Sequence, residues 1–141
     1  MWCNDVRASI IWYAKNSVVQ FRLKDYDSTV SLIEHVNTLT FHSQLGSENN
    51  VHKVFQTAVD DVLTVGNGYR PGSQTVAVLM TDANPESQEL AWTHVQALKV
   101  KVSKVFVVAI GQQWDRFELE FISSSPAFFY DVSYFYLNLY H

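Results

Sequence analysis

The sequence predicts an α/β fold: a doubly wound, mostly parallel sheet with one antiparallel edge strand. Three observations carry this. Two apolar runs of strand length, 75–80 (TVAVLM) and 105–110 (VFVVAI), lack polar alternation, as expected of strands buried on both faces of a parallel sheet. Apolar residues recur at helical spacing before, between and after them. Two short strand-like runs open the chain, so the order is strand, strand, helix, helix, strand, helix, strand, helix, strand. Right-handed crossovers then place helices on both faces of the sheet.

Residues 6–14 (VRASIIWYA) are rich in Ile, Val and aromatics, with Ala8, Ile10 and Trp12 on one face, and read as a strand. Lys15-Asn16-Ser17 is a polar turn, and 18–23 (VVQFRL) is a second strand. So short a connection makes the pair antiparallel, because a parallel return needs a long crossover. Ser28 is a helix N-cap, followed by Leu32, Ile33, Val36 and Leu39 at helical spacing. A loop over 40–49 carries Gly46. A second helix covers about 50–65, with Val51, Val54, Phe55, Ala58 and Val62 in one stripe. Gly66-Asn67-Gly68 stops it. After the 75–80 strand, 86–99 is helical with Ala91, Val95 and Leu98 inward. Gly111 closes the 105–110 strand. Trp114, Phe117 and Phe121 then mark a short helix, and 127–130 (AFFY) a last strand. The aromatic tail from 132 to 141 reads as the start of another helix, or as a sticky partner site.

The chain has 141 residues, 48% hydrophobic and 17% charged, which suits one domain with an ample core. The longest uncharged apolar run, 105–110, is too short to span a bilayer. Net charge is −4 and the densest cationic group is Lys99, Lys101 and Lys104, so nucleic-acid binding is not expected. A lone cysteine, Cys3, rules out an internal disulfide. Asp5 and Arg7 interrupt any apolar leader at the start, so no signal peptide is read.

Open α/β sheets bind ligands at the carboxyl ends of their strands. The end at Thr81-Asp82 is the candidate here. Its carboxylate is suited to a metal, a phosphoryl group or a proton, while the plainer reading has Asp82 and Asn84 capping the next turn. Gly66-Asn67-Gly68 lies between helix and strand, the reverse of a phosphate loop. No Gly-x-Ser-x-Gly elbow occurs. His35, His42, His52, His94 and His141 show no ligand spacing. Asp60-Asp61 and Glu118-x-Glu120 read as solvated helix faces.

Residues 6–23, the loop 45–50 (LGSENN), the strand 76–80 with Thr81-Asp82, and 105–111 (VFVVAIG) together resemble a von Willebrand factor type A domain. The resemblance is strongest to the extracellular-matrix group, as in type VI collagen and matrilins, and covers nearly the whole chain from Val6. It implies a non-enzymatic protein-binding and adhesion module, outside the cell, with matrix partners such as collagens. A small α/β enzyme or phospho-acceptor using Asp82 is the alternative. The resemblance also implies a metal-ion-dependent adhesion site built from an Asp-x-Ser-x-Ser loop, a threonine and a Thr-Asp-Gly loop. Asp82 matches the last element, with Ala83 in place of glycine. Glu48 or Asn49 stands where threonine is expected, and Asn84 joins them as a ligand-binding candidate. No Asp-x-Ser-x-Ser occurs. No cofactor is therefore expected, or Mg²⁺ at most weakly, because Mg²⁺ needs several oxygen ligands in near-octahedral geometry. The resemblance further implies that 1–141 is a single domain incomplete at its N-terminus, and in part at its C-terminus, lacking the first, central strand. The two strands flanking that position would expose unpaired edges and favour self-association.

Overall fold

A computed structural model of the chain describes residues 6–40 and 46–132. Cys3 and the tail beyond Val132 lie outside them, as does most of the loop before Gly46. The strands are β1 (Ile10–Tyr13), β2 (Ser17–Phe21), β3 (Val76–Thr81), β4 (Lys104–Ile110) and β5 (Phe129–Val132). The α-helices are α1 (Thr29–Thr38), α2 (Val51–Thr57), α3 (Gln88–Lys101) and α4 (Arg116–Leu119).

β1 and β2 pair antiparallel, with an irregularity between Ile10 and Ile11. β3, β4 and β5 form a parallel sheet in that order, with Val76 opposite Lys104 and Val107 opposite Phe129. The α/β class and the antiparallel pair are as the sequence predicts. Among the described residues the strands divide into two sheets, and no ladder joins β1 to β3.

Local chemistry explains the helix starts. The side chains of Ser28, Ser87 and Asp115 accept from the backbone N–H of Ser31, Leu90 and Phe117, each satisfying an otherwise orphaned donor. α2 widens into a π-helical turn over Ala58–Val62. Lys101 Nζ, from α3, donates to the Val59 and Leu63 carbonyls at 3.0 Å each. Gly68 ends the segment with φ +100°, and a Cβ there would meet the Lys24 backbone nitrogen at 2.6 Å. Only glycine suits both that conformation and that approach.

The core lies between one face of β3–β4–β5 and the helices α2, α3 and α4. Val51, Val54 and Phe55 meet Ala91, Val95 and Leu98, over Val105, Val107 and Ala109. The remaining cover is Leu119, Ile122 and Phe129. The stripes read from the sequence on α2 and α3 are thus the ones buried.

Three expectations need correction. The 75–80 run is not buried on both faces: Val76, Val78 and Met80 are 51%, 53% and 64% exposed, because no described helix covers that side of β3. The stripe on α1 buries no residue, and Phe117 is 83% exposed, with Leu119 and Ile122 turned inward instead. Asp61 is not simply solvated. It takes a two-pronged ion pair from Arg22 Nε (2.8 Å) and Nη2 (2.7 Å), and a bond from Asn67 Nδ2 (2.7 Å). The Arg22 bonds chiefly hold its carboxyl below the usual range, with the Arg22 and Lys24 charges adding to them and desolvation opposing.

Candidate functional site

The parallel strands end together, which brings the loop after β3 beside the loop before α2. Asn49 ties the two. Its Nδ2 donates to the Ala83 carbonyl (2.7 Å), the Asn84 carbonyl (2.8 Å) and, longer, Thr81 Oγ1 (3.4 Å). Its backbone carbonyl accepts from Glu86 N at 3.0 Å. Thr81 Oγ1 donates to the Ala83 carbonyl at 3.1 Å. Asn84 Oδ1 accepts from Asp115 N at 2.8 Å, joining the loop that enters α4. Asn49 and Asn84 are therefore clamps between loops, and the Asp82 carboxylate stands exposed on the loop they hold.

Glu48 faces the other way. Its Oε1 lies 3.5 Å from Lys15 Nζ, and its Oε2 accepts from Asn50 Nδ2 at 3.1 Å. Asn50 and Lys53 both donate to the Lys15 carbonyl, at 3.1 and 2.7 Å, so the β1–β2 turn is tied to the start of α2.

Tyr13, which sequence reasoning passed over, ends β1 at this same rim. Its phenol is hydrogen-bonded to the Thr81 side chain. Burial pushes the phenol up to about 12, the Thr81 bond opposing and the nearby Asp82 charge adding to it. The sequence signal was available: a tyrosine at the carboxyl end of a strand is placed to send its hydroxyl into the rim.

The donor set does not suit a hard divalent cation. Asp82 and Glu86 are the exposed carboxylates on the clamped loop, Glu86 Oε1 accepting from Asn49 N at 3.4 Å, while Glu48 is paired with Lys15 and Asn49 presents its side-chain N–H groups to carbonyls. Among the described residues no group of three or more His, Cys, Asp or Glu is placed to hold a metal ion. The nearest approach of two such rings is His52 and His94, 5.8 Å apart between α2 and α3. Burial, then the neighbouring His94 and Lys53 charges, lowers the His52 pKa. The lysine group of the sequence is structural in part. Lys99 Nζ donates to the Phe121 and Ser123 carbonyls at 2.8 and 3.0 Å, and Lys101 caps the π-turn.

The model of the von Willebrand factor type A domain matches residues 3–139. The chain belongs to that family. A solved structure of proximal thread matrix protein 1 from the mussel byssus is similar, with TM-score 0.82 and 16% identity, covering 91% of this chain and 32% of that one. A second structure of that protein, with zinc occupying its MIDAS motif, gives TM-score 0.78 at 16% identity, with 94% and 34% coverage. This chain thus spans about a third of the length of those proteins, and at such identity the likeness is one of fold. Domains of this family are in general protein-interaction modules rather than enzymes. No helix among the described residues is long and apolar enough to cross a membrane.

Proposed function

We propose that this domain is a non-enzymatic adhesion module of an extracellular-matrix protein of the type VI collagen and matrilin kind, binding matrix proteins such as collagens. The rim formed by the loops after β3 and before α2 contacts the partner. Asp82 supplies an exposed carboxylate, with Glu48, Asn49 and Asn84 around it, and divalent metal contributes weakly if at all.

The observation that carries this reading is the clamp. Asn49 bonds both Ala83 and Asn84 carbonyls, so Asp82 is presented on a loop already ordered. A preordered loop loses less conformational entropy on binding. The enzymatic alternative needs partners for Asp82. Lys15, the lysine at the end of β1, is committed to Glu48, and among the described residues no nucleophile–base pair converges on Asp82.

Surface binding to immobilised collagens and other matrix proteins tests the reading. Binding should persist in EDTA and weaken at least about tenfold with Asp82→Ala, a loss of about 1.4 kcal/mol. Binding abolished by EDTA, or indifferent to D82A, counts against it.

A further inference from the structure

His52 of α2 and His94 of α3 stand side by side across the packed helix pair, and the rim uses neither. Their ring centres are 5.8 Å apart, with the planes tilted by 49°. Two imidazoles on one tetrahedral ion stand about 5–6 Å apart between ring centres, given a metal–nitrogen distance of about 2.0–2.1 Å. The spacing is that of two ligands to one ion. The pair lies on different helices, so no spacing along the sequence announces it.

Each ring shows a separate sign of this chemistry. His94 Nδ1 lies 2.9 Å from the Leu90 carbonyl, four residues back on the same helix. A carbonyl only accepts, so the bond fixes the proton on Nδ1 and leaves a lone pair on Nε2. A histidine held in this way through one nitrogen is the usual arrangement when the other binds a metal. In His52 it is Nδ1 that is buried and meets no hydrogen-bond partner. A buried polar atom without a partner is costly, and a bound cation removes that cost. His35 Nε2 is also without a partner, but its ring packs on Phe21 and Tyr26 rather than on a second imidazole.

The surroundings admit an ion. Beside His94, a groove of about 210 Å³ is lined by Gln56, Val59, Asp60 and Ala97. It has room for several waters at about 30 Å³ each. Asp60 brings a negative charge to this groove. Lys53, next to His52 in sequence, has its ammonium engaged elsewhere, donating to the Lys15 carbonyl at 2.7 Å and Asn16 Oδ1 at 3.3 Å. Among the described residues no cluster of three or more His, Cys, Asp or Glu forms here, so water fills the remaining positions.

We propose that His52 and His94 form a two-histidine site for a divalent transition-metal ion of the zinc class, which clips α2 to α3. Imidazole nitrogen suits Zn²⁺ and Cu²⁺, whereas Mg²⁺ and Ca²⁺ take oxygen ligands. The site draws on none of the rim residues, so EDTA should strip this ion without releasing a partner held at the rim.

Calorimetric titration of the whole chain with Zn²⁺ is the first test. One ion should bind per chain, and Mg²⁺ should not compete. His52→Gln and His94→Gln should each weaken Zn²⁺ binding at least about tenfold. His35→Gln should leave it unchanged, as should Asp82→Ala, which separates this site from the rim. Cys3, His42 and His141 are the chain's other nitrogen and sulfur candidates, and the triple variant Cys3→Ser, His42→Gln, His141→Gln should keep the affinity. A second measurement needs no variant to fold. Cu²⁺ added to the unaltered chain should give an electron paramagnetic resonance spectrum with coupling to two imidazole nitrogens, and Zn²⁺ should shift the ¹⁵N signals of the His52 and His94 rings. The proposal is overturned if Zn²⁺ binding does not saturate or survives both single histidine variants. Loss of binding in the triple variant, or with D82A, overturns it equally, because the ion would then sit elsewhere.

Discussion

β3 and β4 are neighbours in one sheet with nearly the same apolar composition, and their surroundings differ sharply. In β4, Val105, Val107 and Ala109 are fully buried, beneath Ala91 and Val95 of α3, which are fully buried too. In β3 the residues level with Val107 and Ala109 on that face, Leu79 and Thr81, are buried as well, but on the opposite face Val76, Val78 and Met80 are half exposed or more where Phe106, Val108 and Ile110 of β4 are half-buried. Composition alone does not bury a strand. Burial needs a partner on each face and each edge, and among the described residues β4 has β3 and β5 at its edges while β3 has β4 alone.

The contrast can be broken most directly by truncation. Leu119→Ala, at a residue 1% exposed in the packed region, should destabilise the domain by about 2–5 kcal/mol. Val78→Ala on the open face should change stability by no more than about 0.5 kcal/mol. Urea unfolding of both variants decides it, and equal losses would mean that the open face is covered in solution.

A smaller effect is expected at the clamp. Asn49→Ala strips the Ala83 and Asn84 carbonyls of their donor and should cost about 1–3 kcal/mol. Faster hydrogen exchange at the Glu86 amide, which bonds the Asn49 carbonyl, would mark the loosening as local. An unchanged exchange rate would show that the loops hold without Asn49.

The contact between Tyr13 and Thr81 can be probed by pH. Tyr13 has a folded pKa of about 12 against 10.0 for the free phenol. The folded chain keeps this proton where the unfolded chain loses it. Stability should therefore be fully present below pH 10 and fall between pH 10 and 12. Tyr13→Phe should flatten that part of the profile in thermal melts, and an unaltered slope would place the alkaline loss elsewhere.

The smallest effect belongs to the packed side. His52 has a lowered pKa, so the unfolded chain takes up the proton first as pH falls below about 6.5. Acidification through that range should lower stability, and His52→Gln should reduce the loss. Of the charged groups near it, Lys53 and His94 both act in the same sense.

Much of the fold was legible because its signals are local. The Ser28 cap, the stripes of α2 and α3, and the Gly68 stop each depend on residues within a turn or two. The site was legible only as positions. Asp82 does follow a strand, as its neighbours imply, but the bonds that Asn49 makes to the same loop were not legible. A side-chain amide that spans to residues 83 and 84, more than thirty positions away, leaves no periodic trace. The same holds for Tyr13 and for Arg22 with Asp61.

By itself the sequence determined the order of strands and helices, the helix starts, and the apolar character of β3 and β4, since these follow from spacing, capping and side-chain branching. Only the tertiary structure decided which apolar strand is enclosed, that Tyr13 of β1 meets Thr81 of β3, and that the asparagines brace the rim. Those outcomes depend on which distant segments arrive as neighbours, and a strand's pattern records its own preference for burial but not whether a partner is there to provide it.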